Sequence, residues 1–128
     1  MDFDSLLTKE AHEEGAEILI SNPVTGKTTD LYIKVLGSDS LVWQKSIKRG
    51  RNKLISKLSE NKEISEQDEI DAEIDQLVAV TVDWRGIERE GVPVKFTAKD
   101  CKKLYTSSPG VRQQVDKFVS DRTNFIKG

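Results

Sequence analysis

Between Val82 and Phe96 the chain crowds residues that most restrict its backbone. Trp84 stands among the β-branched Val82, Ile87, Val92 and Val94, with two glycines, Gly86 and Gly91, and Pro93. Proline fixes φ, glycine admits left-handed backbone, and β-branched side chains favour extended structure. The stretch reads as a joint where the chain folds back on itself. Glu88-Arg89-Glu90-Gly91 is its loop tip, and Ile87 with Val92 and Val94 flank it as short strands. It carries no reactive side chain, which leans the reading away from an enzyme.

What precedes the joint reads as a hairpin and two charged helices. Phe3, Leu6 and Leu7 form a small apolar group before the polar run from Thr8 to Glu14, which is either one helical turn or a docking arm. Ala16 to Ser21 and Thr29 to Leu36 alternate apolar and polar residues. Ile18 and Ile20 share one face of the first run; Leu31, Ile33 and Val35 share one face of the second. Asn22-Pro23-Val24-Thr25-Gly26 between them is turn chemistry, so the pair is a β-hairpin. A lone hairpin is marginal in water, so this one must lie on a helix or pair with another strand or subunit.

Gly37-Ser38-Asp39-Ser40 ends the hairpin and supplies caps for a helix running to about Leu58. Trp43, Ile47, Leu54 and Leu58 mark its apolar stripe, with Ile55 beside it. Lys45, Lys48, Arg49, Arg51, Lys53 and Lys57 lie elsewhere on it, with no acid among them, and Gly50 is a local weakness. Ser65 and Asp68 form a capping box for a second helix, with Ile70, Ile74, Leu77 and Thr81 as its stripe and an acidic outer face. A basic helix followed at once by an acidic one predicts an antiparallel pair with complementary faces. Val78 to Val82 can end as helix or as strand.

After the joint, Thr97 caps a helix whose inner face is Cys101, Leu104 and Tyr105, and Ser108-Pro109 starts the last one. Val111, Val115, Phe118, Val119, Arg122, Phe125 and Ile126 give that helix the cleanest stripe in the sequence. The pattern predicts a single α+β domain over 1–128, mainly α-helical: an N-terminal β-hairpin packed with about four helices and a short extended joint. Its parts are an arm over 1–14, the hairpin over 15–37, a helical pair over 38–82, the extended joint over 83–97 and C-terminal helices over 98–126.

The chemistry is sparse. Gly26-Lys27-Thr28 ends like a phosphate-binding loop, but Ser21 stands where the earlier glycine belongs, and a strand follows instead of a helix. His12, the single histidine, lies in a polar run and reads as solvent-facing. Cys101, the single cysteine, excludes an internal disulfide and reads as a small core residue suited to a reducing cytoplasm. One histidine and one cysteine leave a zinc site dependent on carboxylates, and the acidic helix lacks calcium-loop spacing. No catalytic residue, cofactor or metal is assigned. The net charge of −2 weighs against a general nucleic-acid binder. The start Met1-Asp2-Phe3-Asp4 lacks the pattern of a signal peptide, and no apolar run approaches the ~20 residues that span a bilayer.

Beyond these readings, several stretches resemble one family. Asn22-Pro23-Val24-Thr25-Gly26-Lys27 resembles the D/N-P-x-T-G-x turn of tail assembly chaperones from long-tailed bacteriophages and prophages. Val35 to Ser40, ahead of Trp43, is similar to their V-x-G-x-D-S lead into a helix. Val82-Asp83-Trp84-Arg85-Gly86-Ile87 resembles their D-W-x-G-I/F element, and Gly91 to Thr97 the extended G-x-P-x-x-F/Y-T/S that follows it. Phe118 to Phe125 looks like their last helix. The resemblance covers Ala16 to Phe125 in order. The family usually has aspartate at Asn22 and tyrosine at Trp43, and none of these motifs is catalytic.

The resemblance implies a non-enzymatic role in virion assembly. Such a protein binds the tape measure protein, keeps it soluble and promotes polymerisation of the tail tube protein around it. It works in the cytoplasm of the bacterial host and is absent from the mature virion. Many members also exist in a longer, frameshifted form, of which this chain would be the short counterpart. An exposed apolar stripe on a helical client calls for an apolar groove, and Trp84, Val111, Val115, Phe118 and Phe125 are the partner-binding candidates. The marginal hairpin adds an expectation of self-association. The alternative from another class is a nucleic-acid-associated adaptor using the basic helix from Lys45 to Lys57.

Overall fold

The computed structural model describes residues 1–126. Among them it places α1 (Lys9–Glu14), β1 (Ala16–Ser21), β2 (Thr28–Val35), α2 (Leu41–Ser59), α3 (Glu66–Val80), β3 (Thr81–Arg85), β4 (Glu88–Arg89), β5 (Val92–Pro93), α4 (Ala98–Ser107) and α5 (Pro109–Ser120). The fold is α+β and mainly helical, with five α-helices among the described residues and two small antiparallel sheets. The helix beyond the expected four is α1, formed inside the polar arm.

β1 and β2 form the hairpin, and β3 completes a three-stranded sheet in the order β1-β2-β3. The extra partner comes from the residue where α3 turns into β3 with no intervening loop. Thr81 makes that change: its hydroxyl donates to Leu77 O at 2.7 Å and also meets the Tyr105 hydroxyl at 2.7 Å. The register pairs Ile18 with Ile33 and Ile33 with Trp84, so three large side chains line up across the inner face. Alternation follows: Ile18, Ile20, Ile33 and Val35 are buried, while Glu17, Leu19 and Lys34 face out. The β1–β2 turn is held by Asn22, whose side-chain oxygen accepts from the backbone N–H of Val24 and Thr25, with Gly26 at φ +74°.

The helices cover one face of this sheet. α4 packs on α3, and α5 packs on α4 and against β1. Gln114 on α5 bonds both backbone groups of Ser21, accepting from its N–H at 2.8 Å and donating to its C=O at 2.9 Å. That pair of bonds extends the ladder of β1 at its open edge. The core runs through Ile20, Ile33, Val35, Ile74, Leu77, Val80, Cys101, Tyr105, Val115 and Val119, each at most 2% exposed. Cys101 sits on the inner face of α4 as the pattern predicts, and burial pushes its thiol pKa up.

Two helices depart from expectation. α5 ends at Ser120, and the last part of its stripe continues as a 3-10 turn over Arg122–Asn124, started by Asp121. Phe125 remains buried, but Ile126 is exposed and Arg122 reaches the surface to bond Asp39. On α2 the predicted apolar stripe is mostly uncovered: Trp43 and Leu54 are half-buried, whereas Ile47, Ile55 and Leu58 are exposed. The physical reason is contact. Val42 and Trp43 in its first turn pack on the core, and the rest of the helix lies mainly on α3.

Candidate functional site

Trp84, Val111, Val115, Phe118 and Phe125 do not form one open groove. Trp84 is 8% exposed, donates from its indole N–H to Val94 O at 2.8 Å and meets Phe96 edge-on at 5.1 Å. Val111 and Val115 face the core from α5. Phe125 is 5% exposed and lies between the His12 ring, 4.7 Å away, and the edge of Phe118, 5.6 Å away. Of the five, Phe118 alone is half-buried rather than buried. The amphipathic face of α5 is thus consumed by α4, α3 and β1, and Phe125 beyond its end by His12 of the arm.

A concave surface does exist, between α2 and α3. The two helices run antiparallel, as their opposite charges predict: Lys57 pairs with Asp68 near the connection, and Lys53 with Asp75 at 3.9 Å further along. Asp68 also closes the capping box of α3, accepting from Ser65 N at 2.8 Å while Ser65 Oγ accepts from Asp68 N at 3.1 Å. The bonds from Lys57 and then from Ser65 hold its carboxyl at about 2, well below the usual range. Asp75 is shared with Lys102 of α4, at 3.3 Å.

These ion pairs bridge the rims of a groove of about 880 Å³. Its lining includes Ser46, Gly50 and Leu54 from α2 and Ala72 and Gln76 from α3. Small side chains let a third helix approach closely, and the charged rims would fix its register. Gly50, an apparent weakness in the sequence, has this role in view: a Cβ added there meets nothing within 4 Å. The outward edge of α2 is a second surface. Lys48, Arg51, Ile55 and Leu58 recur at i, i+3, i+7 and i+10, and all four are exposed.

The feature missed in the sequence is a polar node at the other end of α2. His12 is fully buried, not solvent-facing. Its Nδ1 accepts from the Asp39 backbone N–H at 2.9 Å, so the neutral ring carries its proton on Nε2. Nε2 stands 3.6 Å from the Asp39 carboxylate, beyond hydrogen-bond range, and has no hydrogen-bond partner among the described residues. Asp39 in turn accepts from Thr8 at 2.5 Å and from Arg122 at 2.9–3.2 Å. The node ties arm, hairpin exit, first turn of α2 and chain end together. Burial lowers the His12 pKa most; Asp39 opposes that and Arg122 adds to it. Gly37 is required beside it, since a Cβ there would fall 2.1 Å from His12 Nδ1. One signal was present in the sequence: Gly37 and Asp39 sit in the same short turn that leads into α2.

Among the described residues no three His, Cys, Asp or Glu side chains gather to hold a metal ion, and no helix is long and apolar enough to cross a membrane. Comparison with protein-family models, curated proteins and solved structures finds no match.

Proposed function

We propose that this chain is a tail assembly chaperone. It binds a tape measure protein in the host cytoplasm, keeps it soluble and promotes tail tube assembly around it without catalysing a reaction. The observation that carries the reading is the α2–α3 groove, an open concavity with small side chains in its lining and charges of both signs on its rims. It suits a long amphipathic client helix, whose apolar stripe would lie over Gly50, Leu54 and Ala72. The ordered motifs from Asn22 to Phe125 support the family assignment. The core position of Trp84, Val111, Val115 and Phe125 moves the client surface away from those residues.

A nucleic-acid adaptor would use the same basic helix, but Asp75 and Asp68 already engage Lys53 and Lys57. The test is co-expression of the tagged chain with the tape measure protein of its own genome neighbourhood, scoring soluble client. Wild type should retain client, and Gly50→Leu, which fills the groove without touching the core, should release it while melting no lower than wild type. Client left insoluble by wild type, or retained equally by Gly50→Leu, would overturn the reading.

A further inference from the structure

The arm and α1 form a shallow, open hollow of about 550 Å³ lined by Leu6, Leu7, Thr8, Lys9, Glu10 and Glu13. Its apolar part is unusual for a solvent-facing surface: Leu6 is 57% exposed and Leu7 59%, with Phe3 at 73% beside them. The segment is acidic, since Asp2, Asp4, Glu10, Glu13 and Glu14 stand against Lys9 within residues 1–14. The outer edge of α2 has the opposite character. Ile55 is 56% exposed and Leu58 54%, and they project beside Lys48 and Arg51 on a helix that contains no acid. One surface is shallow and apolar on an acidic segment; the other is convex, apolar and basic.

The two cannot meet within one chain. Thr8 is bonded to Asp39, and Glu13 accepts from the Leu41 backbone N–H at 2.8 Å, so the hollow is fixed at the start of α2. Ile55 and Leu58 lie 14 and 17 residues further along, roughly 21–25 Å at the helical rise of ~1.5 Å per residue. Leu6 and Leu7 adjoin the anchored Thr8 and cannot span that distance.

We infer that the hollow of the arm and α1 receives the outer edge of α2 from a second copy of this chain, in a head-to-tail contact. Ile55 and Leu58 enter against Leu6 and Leu7, while Lys48 and Arg51 meet the acidic side. A pair joined by one such contact keeps one free surface of each kind, so unless the copies pair reciprocally about a two-fold axis the contact is heterologous and propagates into a row or closes into a ring. A hollow lined by so few residues buries less than the ~1,200 Å² of a stable interface, so association is weak and rises with concentration. Opposite charges across it make added salt weaken it. The α2–α3 groove lies on a different side of α2 and stays open in such a row, so the inference stands whether or not a client binds there.

Sedimentation velocity of the full chain over a concentration series into the millimolar range tests it. Wild type should form species larger than a dimer, shrinking with salt. Leu6→Ser with Leu7→Ser, and separately Ile55→Ser with Leu58→Ser, should each weaken association roughly tenfold or more. All four positions are exposed, so melting of both variants should match wild type. Mixing the two variants is decisive: one keeps the helix edge and the other keeps the hollow, so the mixture should form dimers that grow no further. A wild type that stays monomeric or stops at a dimer, variants that associate as wild type does, or a mixture that remains monomeric would overturn the inference.

Discussion

Acid should loosen this protein through His12 well before it protonates the carboxylates. The neutral ring is built into the fold, because its Nδ1 is occupied by the Asp39 N–H. Protonating that nitrogen removes the bond and sets two N–H groups against each other in a site with no solvent exposure. Burial, the largest influence, lowers the pKa from 6.5; the Asp39 carboxylate raises it and Arg122 lowers it. A folded pKa below the unfolded one means that the unfolded chain binds the proton first. The stabilising contribution is therefore complete above 6.5 and is lost as pH falls toward the folded value. While the folded ring stays neutral, each unit below 6.5 removes at most ~1.4 kcal/mol, so about 5 °C per unit is the ceiling on the fall in melting temperature, and the fall ends where the folded ring itself takes the proton. Asp39 acts in a lower window. Its pKa is held at about 2, chiefly by Arg122 and then Thr8, so its share is lost only as pH falls from 3.8 toward that value.

The assay is thermal unfolding by circular dichroism from pH 8 to pH 5, on wild type and His12→Asn. Asparagine places an oxygen near the position of Nδ1, accepts from Asp39 N–H and does not titrate. It leaves a gap against Phe125, so it should cost about 1–3 kcal/mol at every pH. Its profile should be flat where that of wild type slopes. A flat wild-type profile between pH 6.5 and pH 5, or a slope surviving in His12→Asn, would refute the reasoning.

Gly50→Ala should stabilise the chain by up to ~1 kcal/mol, because the position is helical and the new Cβ meets nothing within 4 Å; denaturant midpoints read this directly. Gly86→Ala should do the reverse: φ is +85° and the Cβ would lie 1.8 Å from Asp30 O, so β2 and β3 must separate, and a loss of at least ~2 kcal/mol is expected in the same assay. Phe125→Ala removes a ring wedged between His12 and Phe118 and should cost about 3–5 kcal/mol, seen as a large drop in melting temperature.

Period and punctuation carried most of the fold. Ile18, Ile20, Ile33 and Val35 alternate as a half-buried hairpin must, and the Ser65–Asp68 box marks a helix start by local bonds that need no tertiary context. The strand at Thr81 was harder, since Val78 to Val82 suits either structure and the choice is made by pairing with β2 and by the Tyr105 hydroxyl. His12 was misread because half of its five neighbours on either side are charged, and a polar run gives no hint that one member points inward. Its burial is a tertiary fact, decided by the Asp39 amide and the Phe125 ring. The stripe of α2 failed in the opposite sense. Periodicity shows which side chains share a face, but not whether anything covers that face, and α3 covers only part of it.

The residues on which the proposed role rests mark no site. Asn22 and Gly26 form a turn, Gly37 clears space for His12, Ser40 caps α2, Trp84 fills the sheet and Gly86 lets β3 pass β2. Each is used up in holding backbone geometry. A surface that must hold a long, irregular helix has different needs: shallow relief, small side chains and charges that can adjust. No fixed motif would record them. Gly50 and Ala72 in the groove have the small side chains and lie in none of the motifs. Substitution in the motifs should therefore be read out as unfolding, and substitution on α2 as lost association in a protein that still folds.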